Sequence, residues 1–457
     1  MSSPLWTSDE IARATGGAAP APFAVSGVAF DSREVGPGDL FVALRGEATD
    51  GHRFVAQAFA QGAAGVLVSE PVEGPHVRVG DTFTALNDLG AASRERSGAK
   101  IIGVTGSVGK TGVKEALFEA LDRFFPGEAH RSLKSYNNHV GVPLSLARMP
   151  AATRFGIFEM GMNHAGELAQ LTRLIRPHVA VVTAIALAHG AFFADEAAIA
   201  DAKGEIFQGL APGGTAIVPY DSPHRDRLIE AARPYAADVV TFGRDRAADV
   251  WTREGLPSGR GTLVSARLRN AELTFTVAQP GEHWVSNALA ILAAVEAAGG
   301  DLPAAGLALA DMAGLPGRGR RLPVRIAEGE ALLIDEAYNA NPASMRATLA
   351  VLGAEPARRR IAILGSMREL GPAESAEHAA LAQPIAAAAV DFALLVGSEM
   401  APLAAALEGR TAFAHVADAA QAAERARALI GPGDAILVKG SNSVGLARVV
   451  AALAEAA

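Results

Sequence analysis

A glycine-rich stretch that contains a lysine and a threonine offers the clearest chemistry in this chain. It has the form G-x-x-G-K-T, and its residues with the preceding threonine are Thr105, Gly106, Ser107, Val108, Gly109, Lys110 and Thr111. Glycines let backbone N–H groups approach phosphate oxygens, Lys110 can reach the β- and γ-phosphates, and the Thr111 hydroxyl can bind Mg²⁺. Val104 stands where the longer form of the motif has its first glycine. We predict a nucleotide-phosphate loop; the alternative is a tight turn with an incidental lysine.

The elements around this loop favour the phosphate-binding interpretation. An apolar run at residues 100–104 precedes it, and a helical pattern at 113–124 follows it, which gives the order strand, loop, helix. Further candidates for buried strands are residues 155–159, 179–185 and 215–218, with helical segments between them. The middle of the chain is therefore predicted to form a doubly wound, mostly parallel sheet.

The whole chain has 457 residues, and this length predicts roughly two to four domains. Alternating strand and helix patterns indicate three α/β blocks, at residues 1–98, 99–314 and 315–457. We expect an N-terminal α/β substrate domain, a central domain with the phosphate loop, and a C-terminal Rossmann-like α/β domain. Pro316, Gly317 and Gly319 predict a hinge-like turn at 315–321. In the third block, residues 375–389 are predicted as one helix.

Composition excludes several classes of function. The net charge of −8 argues against a non-specific nucleic-acid binder. Because the chain has no cysteine, it has no disulfide, no thiolate metal site and no cysteine nucleophile. Residues 1–10 lack the apolar run of a signal peptide, and no apolar stretch is long enough to span a bilayer. We expect a cytoplasmic monomer with no nucleic-acid partner and no membrane insertion.

Several longer strings give the chain a family resemblance. These are K-S-Y-N-N-H-V-G-V-P with Asn137 and Asn138, E-M-G-M-N-H from Glu159, D-E-A-Y-N-A-N-P at residues 335–342, and V-K-G-S at 438–441. Together with the shortened phosphate loop, they resemble the Mur ligases over essentially the whole length. The string at 335–342 is most similar to the branch that adds D-alanyl-D-alanine to UDP-N-acetylmuramoyl-tripeptide. Sister ligases, which add meso-diaminopimelate or lysine, usually carry a histidine-containing string there and are the nearest alternative.

The resemblance implies a complete reaction. ATP phosphorylates the terminal carboxylate of the tripeptide, and the amine of D-alanyl-D-alanine then attacks the acyl phosphate. The products are ADP, phosphate and a pentapeptide precursor of the cell wall. Because a carboxylate must approach a triphosphate, cations have to neutralise the developing charge. The implied cofactors are ATP and Mg²⁺.

Three residues are implied to act around the metal, beside Thr111 and the catalytic Lys110. By resemblance Glu159, at the end of an apolar strand, and His189 bind Mg²⁺. Lys203 stands where Mur ligases often carry a lysine carbamylated by CO₂, which becomes a long carboxylate able to reach Mg²⁺. The alternatives are a solvated strand-end glutamate, a loop histidine and an ordinary surface lysine.

A second set of residues is implied to hold the nucleotide. His283 and Asn287 lie four apart at the start of a predicted helix and share one face; the resemblance favours contact with adenine over helix capping. Arg318, Arg320 and Arg321 are crowded into the turn that opens the third block. One of them is expected to reach the phosphates, and the chain favours Arg318 or Arg321 without deciding between them. Asp335 is expected near the ribose or polyphosphate.

The remaining implied residues bind the precursor and the dipeptide. Asp31, Ser32 and Arg33 are expected at the UDP end of the precursor, where a guanidinium suits a pyrophosphate. Asn137 and Asn138 are expected to contact its sugar–peptide part. Asn339 and Asn341 are expected to contact the peptide from the third block. Each asparagine could instead be a turn residue.

Three positions depart from the family pattern. Gly112 follows the loop threonine where serine or threonine is common. Gly190 and Ala191 follow His189 where leucine and glutamate are frequent, and Ser366 stands where an aspartate is usual.

Two functions of other classes are alternatives to the ligase. A non-catalytic nucleotide-binding module would not need a full set of catalytic and metal-binding residues. The chain has all of those implied, namely Lys110, Thr111, Glu159, His189 and Lys203. A signalling GTPase is expected to carry an N-K-x-D string for guanine, and the sequence has none.

Overall fold

The computed structural model describes residues 4–46, 49–187, 192–258, 261–326 and 329–455. Its strands form four sheets, of which three are large and follow one another along the chain. Helices pack against each of the three, which confirms the predicted α/β class. We refer to these sheets with their helices as the N-terminal, central and C-terminal units.

The N-terminal unit is built on a four-stranded parallel sheet of order β3-β4-β5-β6. Its elements are β1 (Trp6–Thr7), α1 (Ser8–Thr15), β2 (Ala24–Val25), β3 (Gly27–Ala29), β4 (Asp39–Val42), α2 (Val55–Ala60), β5 (Gly65–Val68), β6 (His76–Arg78) and α3 (Thr82–Arg96). Leu40, Leu67 and Leu86, from β4, β5 and α3, are fully buried in one hydrophobic core.

The central unit contains the predicted doubly wound, mostly parallel sheet, with strand order β15-β14-β13-β12-β11-β10-β7-β9-β8. Its strands are β7 (Lys100–Thr105), β8 (Ala129–Arg131), β9 (Phe155–Glu159), β10 (Val179–Val182), β11 (Thr215–Pro219), β12 (Asp238–Gly243), β13 (Val250–Ser258), β14 (Gly261–Arg267) and β15 (Glu272–Val277). Strands β14 and β15 extend it in antiparallel fashion. Because β7 lies between β9 and β10, the chain reverses its winding direction there. Sheets of this kind bind ligands at that switch point.

Helices cover both faces of the central sheet. They are α4 (Lys110–Phe124), α5 (Gly141–Ala147), α6 (Glu167–Ile175), α7 (Glu196–Gly204), α8 (Arg225–Ala232), α9 (Glu282–Ala298) and α10 (Leu302–Asp311). Helix α9 is apolar on nearly all sides, and it packs against α4, α10 and several strands. A helix with that pattern belongs in a protein core. No described helix combines the length and the hydropathy that a membrane span requires.

The C-terminal unit has a six-stranded sheet of order β16-β17-β21-β18-β19-β20, parallel except for β16. Its elements are β16 (Arg320–Ile326), β17 (Gly329–Glu336), α11 (Pro342–Ala354), β18 (Arg359–Gly365), α12 (Glu374–Ala380), α13 (Ala382–Ala387), β19 (Phe392–Val396), α14 (Ala401–Leu407), β20 (Ala412–Val416), α15 (Ala419–Leu429), β21 (Asp434–Lys439) and α16 (Ala447–Ala454). The single helix predicted at residues 375–389 is wrong. The helix breaks at Leu381, and Pro384 lacks the N–H that one continuous helix would need there.

Candidate active site

The phosphate loop leaves β7 at the switch point and enters α4, as the sequence predicts. Gly106 has a φ of 150°, and a Cβ there would lie 2.0 Å from the Thr183 hydroxyl oxygen, so only glycine fits. Gly109 has a φ of 86° and directly precedes the first turn of α4. The N–H groups of a first helical turn have no partner within the helix and favour anions. Lys110 folds back over the loop and donates to the Gly106 carbonyl at 2.6 Å.

A buried carboxylate lies next to this loop. Glu159, at the carboxyl end of β9, is 1% exposed. One of its oxygens accepts from the Thr111 hydroxyl and the other from the Asn137 amide, both at 2.7 Å. Desolvation lowers the pKa of Lys110, the Glu159 charge opposes that shift, and the Arg318 charge adds to it. The structure thus brings together Lys110, Thr111, Asn137 and Glu159.

Lys203 is a buried lysine at the end of α7, with 1% of its surface exposed. Within the described ranges its ammonium forms neither a hydrogen bond nor an ion pair with a carboxylate. Burial therefore lowers its pKa well below the ordinary lysine value, and the nearby charge of Lys110 lowers it further. Lys203 is not an exposed surface lysine. His189, the other residue implied to bind metal, lies outside the described residues.

The amino-terminal end of α9 lies beside the phosphate loop. His283 and Asn287 both line the cavity there, and a Cβ on Gly109 would lie 3.0 Å from the Asn287 side-chain oxygen. Burial, with a smaller effect of the Lys439 charge, lowers the pKa of His283 to about 4, so its imidazole is neutral near pH 7. Trp284 fills the space next to Gly112, where a Cβ would lie 2.9 Å from the indole. That contact gives a steric reason for the departure at Gly112.

The structure distinguishes the three arginines of the turn. The Arg318 guanidinium donates to the Ser135 hydroxyl at 3.0 Å, stacks 4.2 Å from the centroid of the Tyr338 ring and lines the cavity. Arg320 pairs with Asp335 at 3.4 Å. Arg321 instead binds both oxygens of Glu355, at 2.7 and 2.5 Å, and is not part of the cavity wall.

The phosphate loop, Glu159, the start of α9 and Arg318 line one cavity of about 550 Å³ between the central and C-terminal units. Its central wall carries the loop from Ser107 to Thr111 with Asn137, Glu159, His283 and Asn287. Its C-terminal wall carries Arg318, Glu336, Asn339, Asn341, Arg368 and Lys439. The size lies within the range of small-molecule sites. The phosphate loop therefore faces a wall on another unit that carries cations, amides and carboxylates.

Three family models match successive parts of the chain. They are the Mur ligase family catalytic domain at residues 24–107, the Mur ligase middle domain at 104–295, and the Mur ligase glutamate ligase domain at 320–442. The UDP-N-acetylmuramoyl-tripeptide–D-alanyl-D-alanine ligase of Escherichia coli (strain K12) is 35% identical over 95% of each chain. The chain belongs to the Mur ligase family. It is accordingly an ATP-dependent ligase, which excludes the binding module and the GTPase.

Other Mur ligases match over nearly the same extent. The ligase of the same name from Bacillus subtilis (strain 168) is 33% identical over 94% of this chain and 93% of its own. The crystal structure of MurF from Acinetobacter baumannii is 31% identical, covers 99% of both chains and superimposes with a TM-score of 0.85. MurF ligase from Thermotoga maritima, solved in complex with ADP, is 24% identical with a TM-score of 0.78 and shares the fold. The three-unit architecture is therefore that of the family.

Some residues predicted to be in the site of this Mur ligase are not part of the cavity wall. Asp335 is 3% exposed, and its carboxylate accepts from the Gly317 N–H at 2.8 Å, so it holds the turn that presents Arg318. The Asn138 side chain accepts from the N–H groups of Val140 and Gly141 near the start of α5. Thr105 and Gly106 lie behind the loop rather than on the cavity surface.

The proposed UDP-binding residues lie on the N-terminal unit, away from this cavity. The exposed Arg33 guanidinium pairs with the Asp31 carboxylate at 2.9 and 2.6 Å, and that contact lowers the pKa of Asp31 to about 2. The Ser32 hydroxyl is 3.4 Å from the Gln57 side-chain oxygen. The cavity alone therefore does not account for the UDP end of a precursor.

Sequence reasoning missed several charged residues in the cavity wall, among them Glu336 and Lys439. Glu336 ends β17, Lys439 ends the adjacent strand β21, and their charged atoms are 3.5 Å apart. Burial raises the pKa of Glu336, while the Lys439 charge opposes that shift. Glu336 lies in the string at residues 335–342 and Lys439 in the string at 438–441, both of which carried the resemblance. The position of each at the end of a predicted strand was the signal that could have identified them. The Lys439 ammonium also donates to the Asn339 carbonyl at 2.9 Å, and the Asn341 side chain caps α11 at 2.8 Å while lining the cavity.

Proposed function

We propose that this Mur ligase joins D-alanyl-D-alanine to the terminal carboxylate of UDP-N-acetylmuramoyl-tripeptide, with conversion of ATP to ADP and phosphate. The observation that carries the proposal is the cavity in which the phosphate loop faces the string at residues 335–342. Relatives that cover 95% and 94% of the chain bear the name of this ligase. The reaction proceeds through an acyl phosphate of the tripeptide, because a free carboxylate is a poor electrophile toward an amine.

ATP lies with its phosphates on the loop from Ser107 to Thr111 and its adenine toward His283 and Asn287. The neutral His283 ring and the Asn287 amide can both donate and accept hydrogen bonds, as an adenine edge requires. Lys110 and Arg318 approach the phosphates from opposite walls. Both side chains line the same cavity, which supports a shared anionic partner. Arg321 is left out of this assignment because Glu355 already engages it on both oxygens.

The donor set next to the loop fits Mg²⁺. Thr111 and Glu159 supply oxygens, the ligands that Mg²⁺ prefers, and they already lie together at 2.7 Å. No cluster of three or more His, Cys, Asp or Glu side chains suited to a metal occurs among the described residues. This agrees with a cation held by one or two carboxylates, a hydroxyl and nucleotide phosphates. When bound, the ion neutralises charge on the transferring phosphoryl group, and His189 is proposed as a further ligand.

Lys203 is proposed to be carbamylated. Carbamate forms when a neutral amine nitrogen attacks the carbon of CO₂ and releases one proton. The lowered pKa of Lys203 favours that neutral amine, and the lysine has no carboxylate partner among the described residues to hold its proton. The product carries a negative charge, which the neighbouring Lys110 stabilises. The carbamate oxygens complete the oxygen-rich surroundings of the metal.

The peptide end of the precursor is proposed to reach the cavity past Asn137. The dipeptide is proposed to enter from the wall that carries Asn339 and Asn341.

Residues 1–98, 99–314 and 315–457 are proposed as three domains, with closure at the turn 315–321 that excludes water from the acyl phosphate. Asp31, Ser32 and Arg33 then hold the UDP end, and Asn138 supports the segment that carries Asn137. We propose that the enzyme works in the cytoplasm as a monomer, because one chain supplies both walls of the cavity.

Replacing arginines one at a time tests the nucleotide assignment. Arg318→Ala is expected to lower kcat about 100-fold, because it removes a cation aimed at developing charge. Arg321→Ala is expected to leave kcat near the wild-type value, since it removes only the pair with Glu355. Steady-state kinetics with melting temperatures for both variants provide the measurement. A larger loss of kcat in Arg321→Ala than in Arg318→Ala at equal stability would contradict the assignment.

The choice of amine acceptor tests the proposed function itself. Phosphate release is measured with ATP, Mg²⁺ and UDP-N-acetylmuramoyl-tripeptide, adding D-alanyl-D-alanine, D-alanine, lysine or meso-diaminopimelate in parallel. Release is expected to depend on the dipeptide. Faster release with lysine or meso-diaminopimelate, on the matching shorter precursor, would instead identify a sister ligase.

A further inference from the structure

The segment that follows β8, residues 132–137, contacts all three units, and we call it the junction segment. On the side of the N-terminal unit, the Tyr136 hydroxyl donates to Glu34 at 2.9 Å and the Lys134 ammonium pairs with the same carboxylate. On the side of the C-terminal unit, the Ser135 hydroxyl accepts from Arg318. The segment therefore lies where the precursor-binding, nucleotide-binding and closing parts of the enzyme meet.

The same segment holds Glu159 both at its backbone and at its carboxylate. The Ser132 hydroxyl accepts a hydrogen bond from the backbone N–H of Glu159 at 3.1 Å. The Asn137 amide donates to the Glu159 carboxylate at 2.7 Å. A shift of the junction segment would consequently move the partners of Glu159 and of Arg318 at the same time.

One residue of the junction segment has an intrinsically unfavourable backbone conformation. Lys134 has a φ of 51°, in the left-handed region that is unfavourable for a residue with a side chain. Such conformations persist only where surrounding contacts hold them, and they are concentrated at functional sites. The segment therefore requires contacts that fix its main chain.

Lys114 provides those contacts. It lies on α4 one turn after Lys110 and is 0% exposed. Its ammonium donates to the carbonyls of Ser132 and Lys134, both at 2.8 Å, and pairs with Glu115 at 2.7 Å. All three of its donors are thus engaged, and one of them holds the carbonyl of the strained residue.

We propose that Lys114 is a positioning residue that fixes the junction segment relative to the phosphate-loop helix. Through the segment it places Asn137 and Glu159 against Thr111, and Ser135 against Arg318. The helix that begins at the phosphate loop thereby sets the position of the groups that receive the precursor. Lys114 itself touches neither the cavity nor the reacting atoms.

Lys114→Met tests this role, because methionine keeps most of the side-chain length and removes the three donors. Glu115 remains paired with the Arg131 guanidinium at 2.6 Å, so the substitution leaves no isolated charge. The matched control is Val113→Ala, a fully buried neighbour on the same helix that packs in a central core cluster containing none of residues 132–137. Both variants are compared by melting temperature, steady-state kinetics and amide hydrogen exchange of residues 132–137.

In Lys114→Met we expect faster exchange of these amides in the free protein and a fall in kcat of about 100-fold, as small misplacements of reacting groups produce. The KM for D-alanyl-D-alanine should change little, because its wall belongs to the C-terminal unit. Val113→Ala should lose stability without either effect. Unchanged exchange in Lys114→Met would overturn the proposal, and so would a fall in kcat no larger than that of the control. The kinetic measurement rests on the proposed function. The hydrogen-exchange measurement needs no substrate, so it tests the positioning role of Lys114 even if the proposed function is wrong.

Discussion

Lys110→Ala is expected to abolish ligation while the fold remains intact. Lys110 lies in the loop at the switch point and shares the cavity with Arg318 and Glu159. Its ammonium can stabilise the negative charge that develops on the phosphoryl group. Removal of one such donor raises the activation free energy by about 3–4 kcal/mol, which lowers kcat about a hundred- to a thousandfold. The measurement is ligation rate with D-alanyl-D-alanine, alongside the melting temperature of the variant.

Lys100→Ala is the matched control for this experiment. Lys100 begins β7, the strand that leads into the same loop, but its side chain is exposed. The control should ligate at the wild-type rate. If Lys110→Ala also ligates at nearly that rate, the glycine-rich stretch is a turn with an incidental lysine.

Lys203→Ala is expected to lose most activity, and Lys203→Arg should not restore it. A guanidinium keeps a positive charge but cannot become a carbamate and cannot bind Mg²⁺. Since carbamate requires the neutral amine, the lowered pKa of Lys203 is the structural basis for this expectation. Loss of a group that orients a metal typically costs about 10- to 100-fold, and a direct ligand should cost at least as much. Initial rates for the two variants are compared under saturating ATP and Mg²⁺.

Short carboxylic acids make the Lys203 test sharper. Acetate at high concentration should partly restore Lys203→Ala, because its oxygens can take the place of the carbamate oxygens. The same acetate should do nothing for Lys110→Ala, which lacks a cation rather than an anion. Robust ligation by Lys203→Arg, with no response of Lys203→Ala to acetate, would mean that Lys203 acts as a plain cation.

The parts of the site that are local in sequence could be predicted well. The loop, the strand before it and the helix after it are consecutive, so glycine spacing and the apolar run were sufficient. Glu159 was predicted from the family resemblance, and its place at the end of a buried strand puts it beside Thr111. The two antiparallel strands β14 and β15 were not predicted, although burial alternates along β14 as expected for a sheet with one solvated face.

Roles set by distant partners could not be read from the chain. The choice between Arg318 and Arg321 depends on Glu355 and Ser135, which are far away in sequence and reach these arginines only in the fold. Asp335 was expected at the nucleotide, yet its carboxylate faces the Gly317 N–H and the next residue, Glu336, lines the cavity. Alternation along a strand puts neighbouring side chains on opposite faces. Sequence alone therefore did not show that the cavity is lined by Glu336 and not by Asp335.

One isotope experiment tests the central claim most directly. The enzyme is given ATP, Mg²⁺, D-alanyl-D-alanine and UDP-N-acetylmuramoyl-tripeptide with ¹⁸O at both oxygens of its terminal carboxylate, and both products are analysed by mass spectrometry. Phosphorylation moves one carboxylate oxygen into the bond to phosphorus, and attack by the amine then expels phosphate with that oxygen. We predict a dipeptide-extended product that keeps one ¹⁸O and inorganic phosphate that carries the other. Absence of a dipeptide-extended product, or appearance of the label in AMP instead of phosphate, would contradict the account.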